Sequence, residues 1–217
     1  MRVSFLNKKH NKKIIVFFNG WGMDYRAITH IPNSDFDIVM LNEFFDLHLD
    51  LSQLLKYDEI YVVAWSLGVW VANFWLIESG IKPTKTIAIN GTLKPIDASF
   101  GIAPEAFQGT IDNWNESNRM KFQLRMFKDR KLFSSNLNKL PIRSINEQKQ
   151  VLEILQSKII ENNVLDYSWD KVFIGSDDLI FLTENQIIFW NNKASVIKLP
   201  MPHFPFLTLN TWEKIIE

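Results

Sequence analysis

The sequence contains no cysteine among its 217 residues. Disulfide bonds, a thiolate nucleophile and a cysteine-ligated metal are therefore excluded, and the absence suits a reducing compartment. The chain also lacks a charge excess, because 24 lysine and arginine residues balance 24 aspartate and glutamate residues. Its overall charge thus gives no reason to expect a nucleic-acid partner.

Long apolar runs are missing as well. No window approaches 18 uncharged apolar residues, so we expect no transmembrane helix and no membrane partner. The apolar stretch near Met1 is too short for a signal-peptide core, and Lys8 and Lys9 interrupt it. We therefore expect a cytoplasmic protein and a monomer. The four histidines are too scattered for metal-ligand spacing and no P-loop is present, so no metal or other cofactor is expected.

The sequence does contain several short apolar runs that are rich in β-forming residues. Most are continuously apolar, which is typical of strands buried on both faces. Helical patterns lie between them at residues 67–79, 184–192 and 209–216. This alternation predicts an α/β protein with a mainly parallel, twisted sheet and helices on both faces. The predicted strands are residues 3–6, 14–18, 37–41, 60–65, 86–90, 171–175 and 195–199.

The pattern changes between residues 93 and 165. No good strand occurs there, whereas residues 115–127 and 146–160 have helical periodicity. We interpret residues 93–165 as a helical lid insertion over one edge of the sheet. Residues 1–92 and 166–217 would then form the core of a single domain, which suits the chain length.

The strongest chemical signal is Ser66, at the joint between the predicted strand 60–65 and the following helix. A serine there occupies a tight, strained turn that projects its hydroxyl from the sheet edge, with small residues, Ala64 and Gly68, two positions before and after it. This is the nucleophile elbow of the α/β-hydrolase fold, with alanine replacing the first glycine. The alternative is an ordinary helix N-cap serine.

A serine nucleophile needs a base, and the base needs an orienting acid. Of the four histidines, His203 lies in the loop after the last predicted strand, which is where this fold carries its base. Asp178 follows Gly175, the end of the preceding strand, by three residues, and Asp177 is its rival. The order Ser66, Asp178, His203 is the order expected for the fold.

Glycines near Trp21 suggest an oxyanion hole after the strand 14–18. The main-chain amides of Trp21 and Leu67 would donate to the developing negative charge, and the start of the helix at Leu67 would add to the effect. The alternative is a glycine-rich turn without chemistry.

A basic run lies in the predicted lid. Six basic residues and one acidic residue fall within positions 119–131, which could dock an acidic partner or form a solvated helix face. Apolar residues interleaved with them could line a pocket or pack on the core. The candidate substrate contacts in this segment are Phe122, Arg125, Met126 and Arg130.

Several longer motifs resemble the BioG-type pimeloyl-acyl-carrier-protein methyl ester esterases of biotin synthesis. They span nearly the whole chain. The motif in the predicted lid runs from Gly101 to Phe127 and is more specific than the set Ser66, Asp178 and His203. The Trp21 and Leu67 amides match the oxyanion positions of the related BioH-type enzymes, which have histidine where this chain has Asn19. Leu182 stands where proline is usual after the acid. The matching stretches begin at Phe18, Ala64, Asn90, Gly101, Arg125, Asp178 and His203.

The resemblance implies a reaction and a partner. Ser66 would attack the methyl ester at the far end of a pimeloyl chain carried on acyl carrier protein, and His203 would pass its proton to methanol. Acyl carrier protein is acidic, so the basic run would dock it, with Arg125 and Arg130 as first candidates. The alternatives are a general short-chain carboxylesterase, a carbon–carbon bond hydrolase and a non-catalytic hydrolase-fold binding module.

Overall fold

The strands form one sheet in a computed structural model that describes residues 1–33, 35–48, 54–162 and 165–217. Within those residues the strand order is β1-β3-β2-β4-β5-β6-β7. Strand β1 pairs antiparallel with β3, and the other five pairings are parallel, as the sequence predicts. The strands are β1 Arg2–Asn7, β2 Lys13–Phe18, β3 Asp37–Asn42, β4 Glu59–Trp65, β5 Lys85–Ile89, β6 Lys171–Asp177 and β7 Ser195–Pro202.

Helices cover both faces of this sheet. Successive strand side chains point to opposite faces, so Val16 of β2 belongs to one apolar core and Phe17 to another. The core of Val16 includes Trp70 of α1 and Trp190 of α6. The core of Phe17 includes Trp212 of α7. These helices are α1 Leu67–Ser79, α6 Thr183–Trp190 and α7 Trp212–Ile216.

Among the residues that the structure describes, four further α-helices lie between β5 and β6. The predicted helices 115–127 and 146–160 correspond to α3 and α5, whereas α2 and α4 were not predicted. Helix α2 contains Gly109 and Thr110, which are poor helix formers, and α4 has only six residues. Residues 163–164, near the end of the predicted insertion, lie outside the described residues. The four helices are α2 Pro104–Asp112, α3 Glu116–Met126, α4 Arg130–Ser135 and α5 Ile145–Glu161.

The last helix is shorter than the sequence predicts. Helix α7 begins at Trp212 rather than at residue 209, because Thr211 is its N-cap and accepts from the Lys214 amide. Among the described residues, no helix is both long and apolar enough to cross a membrane.

The parallel strands bring their carboxyl ends to one edge of the sheet. The turns after β2, β4, β6 and β7 therefore meet there, and this edge is where open α/β sheets bind ligands. The four turns carry the four groups singled out in the sequence: Trp21, Ser66, Asp178 and His203.

Candidate active site

Ser66 occupies a strained backbone conformation between β4 and α1. Its φ is 59° and its ψ is −131°, a combination that residues with a side chain rarely adopt. Its side chain makes no capping hydrogen bond to the helix, so the N-cap alternative does not describe it. The strained backbone of Ser66 is instead typical of a nucleophile elbow at the sheet edge.

Gly68 explains why the elbow needs a small residue, although the reason differs from our expectation. A Cβ atom at Gly68 would lie 2.5 Å from the Asn19 oxygen and 2.6 Å from the Phe18 oxygen. The close contact is therefore with the backbone at the end of β2, not with Ala64 across the turn. The first turn of α1 is pressed against the loop that carries Trp21.

A continuous chain of hydrogen bonds links Ser66, His203 and Asp178. His203 Nε2 lies 3.0 Å from Ser66 Oγ, and His203 Nδ1 lies 2.9 Å from Asp178 Oδ2. All three residues are buried. The geometry allows Nε2 to take the serine proton while the carboxylate orients the ring and stabilises the imidazolium.

Both carboxylate oxygens of Asp178 accept hydrogen bonds. Its Oδ1 accepts from the amides of Ile180 and Phe181, and its Oδ2 also accepts from Gln186 Nε2 at 3.2 Å. Its rival, Asp177, is only part-buried and forms an ion pair with Lys128 instead. The structure thus brings Asp178, and not Asp177, to His203.

Asn90 is a residue of this site that the sequence reasoning missed. It follows β5 with a φ of 48° and is fully buried. Its Nδ2 donates to the Pro202 oxygen at 2.9 Å and to the His203 oxygen at 3.0 Å, while its Oδ1 accepts from Gly175 N at 2.7 Å. One side chain therefore ties the end of the aspartate strand to the histidine loop. An asparagine directly after a buried strand, where positive φ favours Asn, was the available signal.

The two candidate oxyanion donors lie on the turns after β2 and β4. Within the part of the chain that the structure describes, neither the Trp21 amide nor the Leu67 amide donates to a protein acceptor. Both are therefore free to bind an oxyanion. Asn19 shapes the first turn, because its Oδ1 accepts from Gly20 N and its Nδ2 donates to the Asp24 oxygen.

A cavity of about 250 Å³ opens above Ser66 and His203. Its lining is mostly apolar and comes from both the sheet edge and the helical segment. Three of the candidate contacts, Phe122, Arg125 and Met126, line it, whereas Arg130 at the start of α4 does not. A second groove between α2 and α3 shares Phe122 and Arg125 with this cavity and is also lined by Lys121.

The basic run is not one continuous helix face. Arg119 pairs with Glu116 and donates to the Arg143 oxygen, and Lys128 pairs with Asp177. Arg125 lies over the ring of Phe122, 5.8 Å from its centroid. Local pairing therefore occupies Arg119 and Lys128, while Lys121 and Arg125 face the groove between α2 and α3.

No group of three or more potential metal ligands occurs among the residues that the structure describes. The chemistry that the site itself offers is nucleophilic: a strained serine, a base, an acid and two free amides. This combination suits transfer of an acyl group through a tetrahedral oxyanion.

Comparison with solved structures identifies close and distant neighbours. The crystal structure of BioG from Haemophilus influenzae has 32% identity, covers 100% of both chains and superposes with a TM-score of 0.94. A bromoperoxidase from Bacillus anthracis has 12% identity, covers 95% of this chain and 90% of its own, and has a TM-score of 0.68. At that identity the likeness shows the fold alone, and it confirms the predicted α/β-hydrolase fold.

Sequence comparison identifies a longer relative and a family. A protein of Bacteroides fragilis named malonyl-[acyl-carrier protein] O-methyltransferase is 36% identical over 187 residues, which are 86% of this chain. The match covers only 38% of that relative's length. The family model described as "Pimeloyl-ACP methyl esterase BioG" matches residues 1–215. Because this match covers nearly the whole chain, the chain belongs to the BioG family of pimeloyl-ACP methyl esterases.

Proposed function

We propose that this chain is a serine esterase that hydrolyses the methyl ester of pimeloyl-acyl carrier protein in biotin biosynthesis. The hydrogen-bonded series Ser66, His203 and Asp178 on the floor of an apolar cavity carries the proposal. Membership of the BioG family gives the substrate class.

The reaction has two halves that share the same base. His203 accepts the proton of Ser66 as Oγ attacks the ester carbonyl, and the amides of Trp21 and Leu67 stabilise the oxyanion. His203 then gives the proton to the leaving methoxide, which departs as methanol. In the second half His203 deprotonates a water molecule, whose attack releases the free carboxylate and restores Ser66.

The cavity and the groove suit the two ends of this substrate. The apolar cavity would take the acyl chain with its methyl ester next to Ser66. The groove between α2 and α3 would lead the rest of the substrate outward past Lys121 and Arg125 to an acidic carrier protein. The name of the Bacteroides relative also refers to an acyl carrier protein, which supports a carrier-linked substrate.

The helical segment between β5 and β6 would serve as the lid. Its helices α2 and α3 supply Phe107, Phe122 and Met126 to the cavity wall. The segment would thus shield the bound acyl chain from water. We assign residues 93–165 to this lid and residues 1–92 and 166–217 to the catalytic core.

A mass measurement on the carrier tests the proposal. Purified protein is incubated with pimeloyl-acyl-carrier-protein methyl ester, and the Ser66→Ala variant serves as the control. We expect the carrier to lose the mass difference between a methyl ester and a free acid, with the thioester intact, and the variant to be inactive.

Other outcomes identify the rival functions. Hydrolysis of small soluble esters without demethylation of the carrier-linked ester would indicate a general carboxylesterase. Failure to hydrolyse either ester would contradict the proposal and favour a binding module or another reaction on this fold.

A further inference from the structure

Gln148 of helix α5 reaches from the helical segment to the oxyanion loop, defined here as residues 19–24. It is 2% exposed although its side chain is polar. Its position, in the first turns of a helix far from the triad in sequence, gives no sign of a role in catalysis. The contacts that it makes lie on the loop after β2.

Two hydrogen bonds join Gln148 to neighbouring residues of that loop. Its side-chain Nε2 donates to the Gly22 oxygen at 2.9 Å, and its main-chain oxygen accepts from Trp21 Nε1 at 2.8 Å. Gly22 has a φ of 74°, a left-handed conformation in which the carbonyl is turned toward the amide of Gln148.

The loop is held on both sides of the Trp21 amide. Before it, Asn19 Oδ1 accepts from Gly20 N, and after it, Gln148 Nε2 donates to the Gly22 oxygen. The indole of Trp21 packs against Trp114 and Phe122, with ring centroids 4.6 Å and 5.4 Å away. Contacts from the core and from the helical segment therefore hold the loop on both sides of this peptide N–H.

We propose that Gln148 is a positioning residue, which fixes the Trp21 amide where it can donate to the oxyanion. The proposal rests on the proposed esterase function, because an oxyanion forms only if an ester or a similar acyl group is attacked. A misdirected Trp21 amide stabilises the transition state less, while binding of the uncharged ester before the reaction hardly changes. The effect therefore falls on kcat rather than on KM.

Gln148→Met and Gln148→Glu test this role. Methionine keeps the length of the side chain and removes the donor, whereas glutamate places a carboxylate against the Gly22 oxygen. Complete loss of one oxyanion donor lowers kcat roughly 10²–10³-fold, so we expect a loss of about 10-fold or more for Gln148→Met and a larger one for Gln148→Glu. KM should stay within about 3-fold.

Gln123→Met is the matched control. Gln123 is a buried glutamine of α3 that lines the same small pocket as Gln148. Within the described residues its side chain makes no hydrogen bond to the oxyanion loop. We expect this variant to keep kcat within about 2-fold. An equal loss in both variants, or a loss confined to KM, would overturn the proposal.

Hydrogen–deuterium exchange gives a second readout that does not depend on activity. In Gln148→Met, peptides covering residues 19–24 should exchange faster, whereas peptides covering β4 and α1 should not change. Unchanged exchange in residues 19–24 would overturn the positioning role even if the enzyme proved to act on another substrate. Wild-type protein that hydrolyses no ester would contradict the proposed function alone.

Discussion

Asp177 and Asp178 are neighbours in the chain, yet their carboxylates contact different parts of the molecule. Asp178 Oδ2 lies 2.9 Å from His203 Nδ1, whereas Asp177 Oδ1 lies 2.7 Å from Lys128 Nζ. The first contact is buried and the second is half-exposed. Adjacent, chemically identical side chains therefore provide a matched pair for testing which one supports the base.

Asp178→Asn should abolish most of the ester hydrolysis, while Asp177→Asn should not. An asparagine at 178 removes the charge that stabilises the imidazolium and favours the wrong tautomer of His203, which costs on the order of 10⁴-fold in kcat. Loss of the exposed pair at 177 should change stability by less than about 1 kcal/mol. Steady-state kinetics measure the activity of both variants, and urea unfolding measures the stability of Asp177→Asn. Comparable activity in the two variants would show that the contact with His203 is not catalytic.

Gly68→Ala should disrupt the elbow, because its Cβ would lie 2.5 Å and 2.6 Å from two backbone oxygens. Backbone at the end of β2 must shift, so we expect destabilisation of about 1–3 kcal/mol with a loss of activity. Gly109→Ala is the control: its Cβ meets nothing within 4 Å, within helix α2. It should raise the free energy of unfolding by about 0.5–1 kcal/mol. Urea unfolding measures the free energy of unfolding of both variants. An equal change in the two would contradict the close-contact explanation.

Asp37 should make the stability of the protein depend on pH in the acid range. Burial by itself would raise the pKa of its carboxyl, but hydrogen bonds from the Tyr57 hydroxyl and the Lys9 and Asn11 amides hold the pKa below its ordinary value of 3.8. A folded pKa below the unfolded one means that the stabilisation is complete above the unfolded value. It is lost as the pH falls through that value toward the lower folded pKa.

Asp37→Asn removes this carboxyl and should flatten the fall in stability below about pH 5, while lowering the free energy of unfolding at pH 7 by about 1–3 kcal/mol. Asp58→Asn is the control, since Asp58 forms an exposed pair with Lys12. Urea unfolding at a series of pH values gives both curves. If the free energy of unfolding of Asp37→Asn fell with acid as steeply as that of the wild type, another group would be responsible for the pH dependence.

The combined change Lys121→Glu and Arg125→Glu should weaken binding of the carrier-linked ester. Both residues line the groove between α2 and α3, so charge reversal there repels an acidic partner. We expect KM for the carrier-linked ester to rise by about 10-fold at low salt and the difference to shrink as salt is added.

Two controls separate docking from catalysis. Lys82→Glu reverses an exposed charge before β5, at the opposite edge of the sheet, and should leave KM unchanged. Because Arg125 also lines the cavity above Ser66, the groove variant should change hydrolysis of a small soluble ester as well, but far less than that of the carrier-linked ester. If the groove variant had the same KM for the carrier-linked ester as the wild type, the carrier would dock elsewhere.

Local sequence patterns predicted most of the elements. Apolar runs, most of them continuous, identified the seven strands of the described residues. Leu67–Ser79 was predicted with both ends correct because a strained serine precedes it and Gly80 caps it. Helix α2 escaped prediction, since Gly109 and Thr110 weaken its local signal. Packing of Phe107 and Ile111 on the core stabilises that helix, and packing is not visible in the local sequence.

The sequence by itself determined the fold class and the types of residue at the sheet edge, because strand periodicity and the turn around Ser66 are local properties. Only the tertiary structure decided which of Asp177 and Asp178 lies beside His203, since a one-residue choice depends on how β6 ends beside β7. It also decided the side-chain contacts of Asn90 and Gln148, whose partners lie 85 or more residues away in the chain. Long-range hydrogen bonds leave no local pattern, and folding alone brings such partners together.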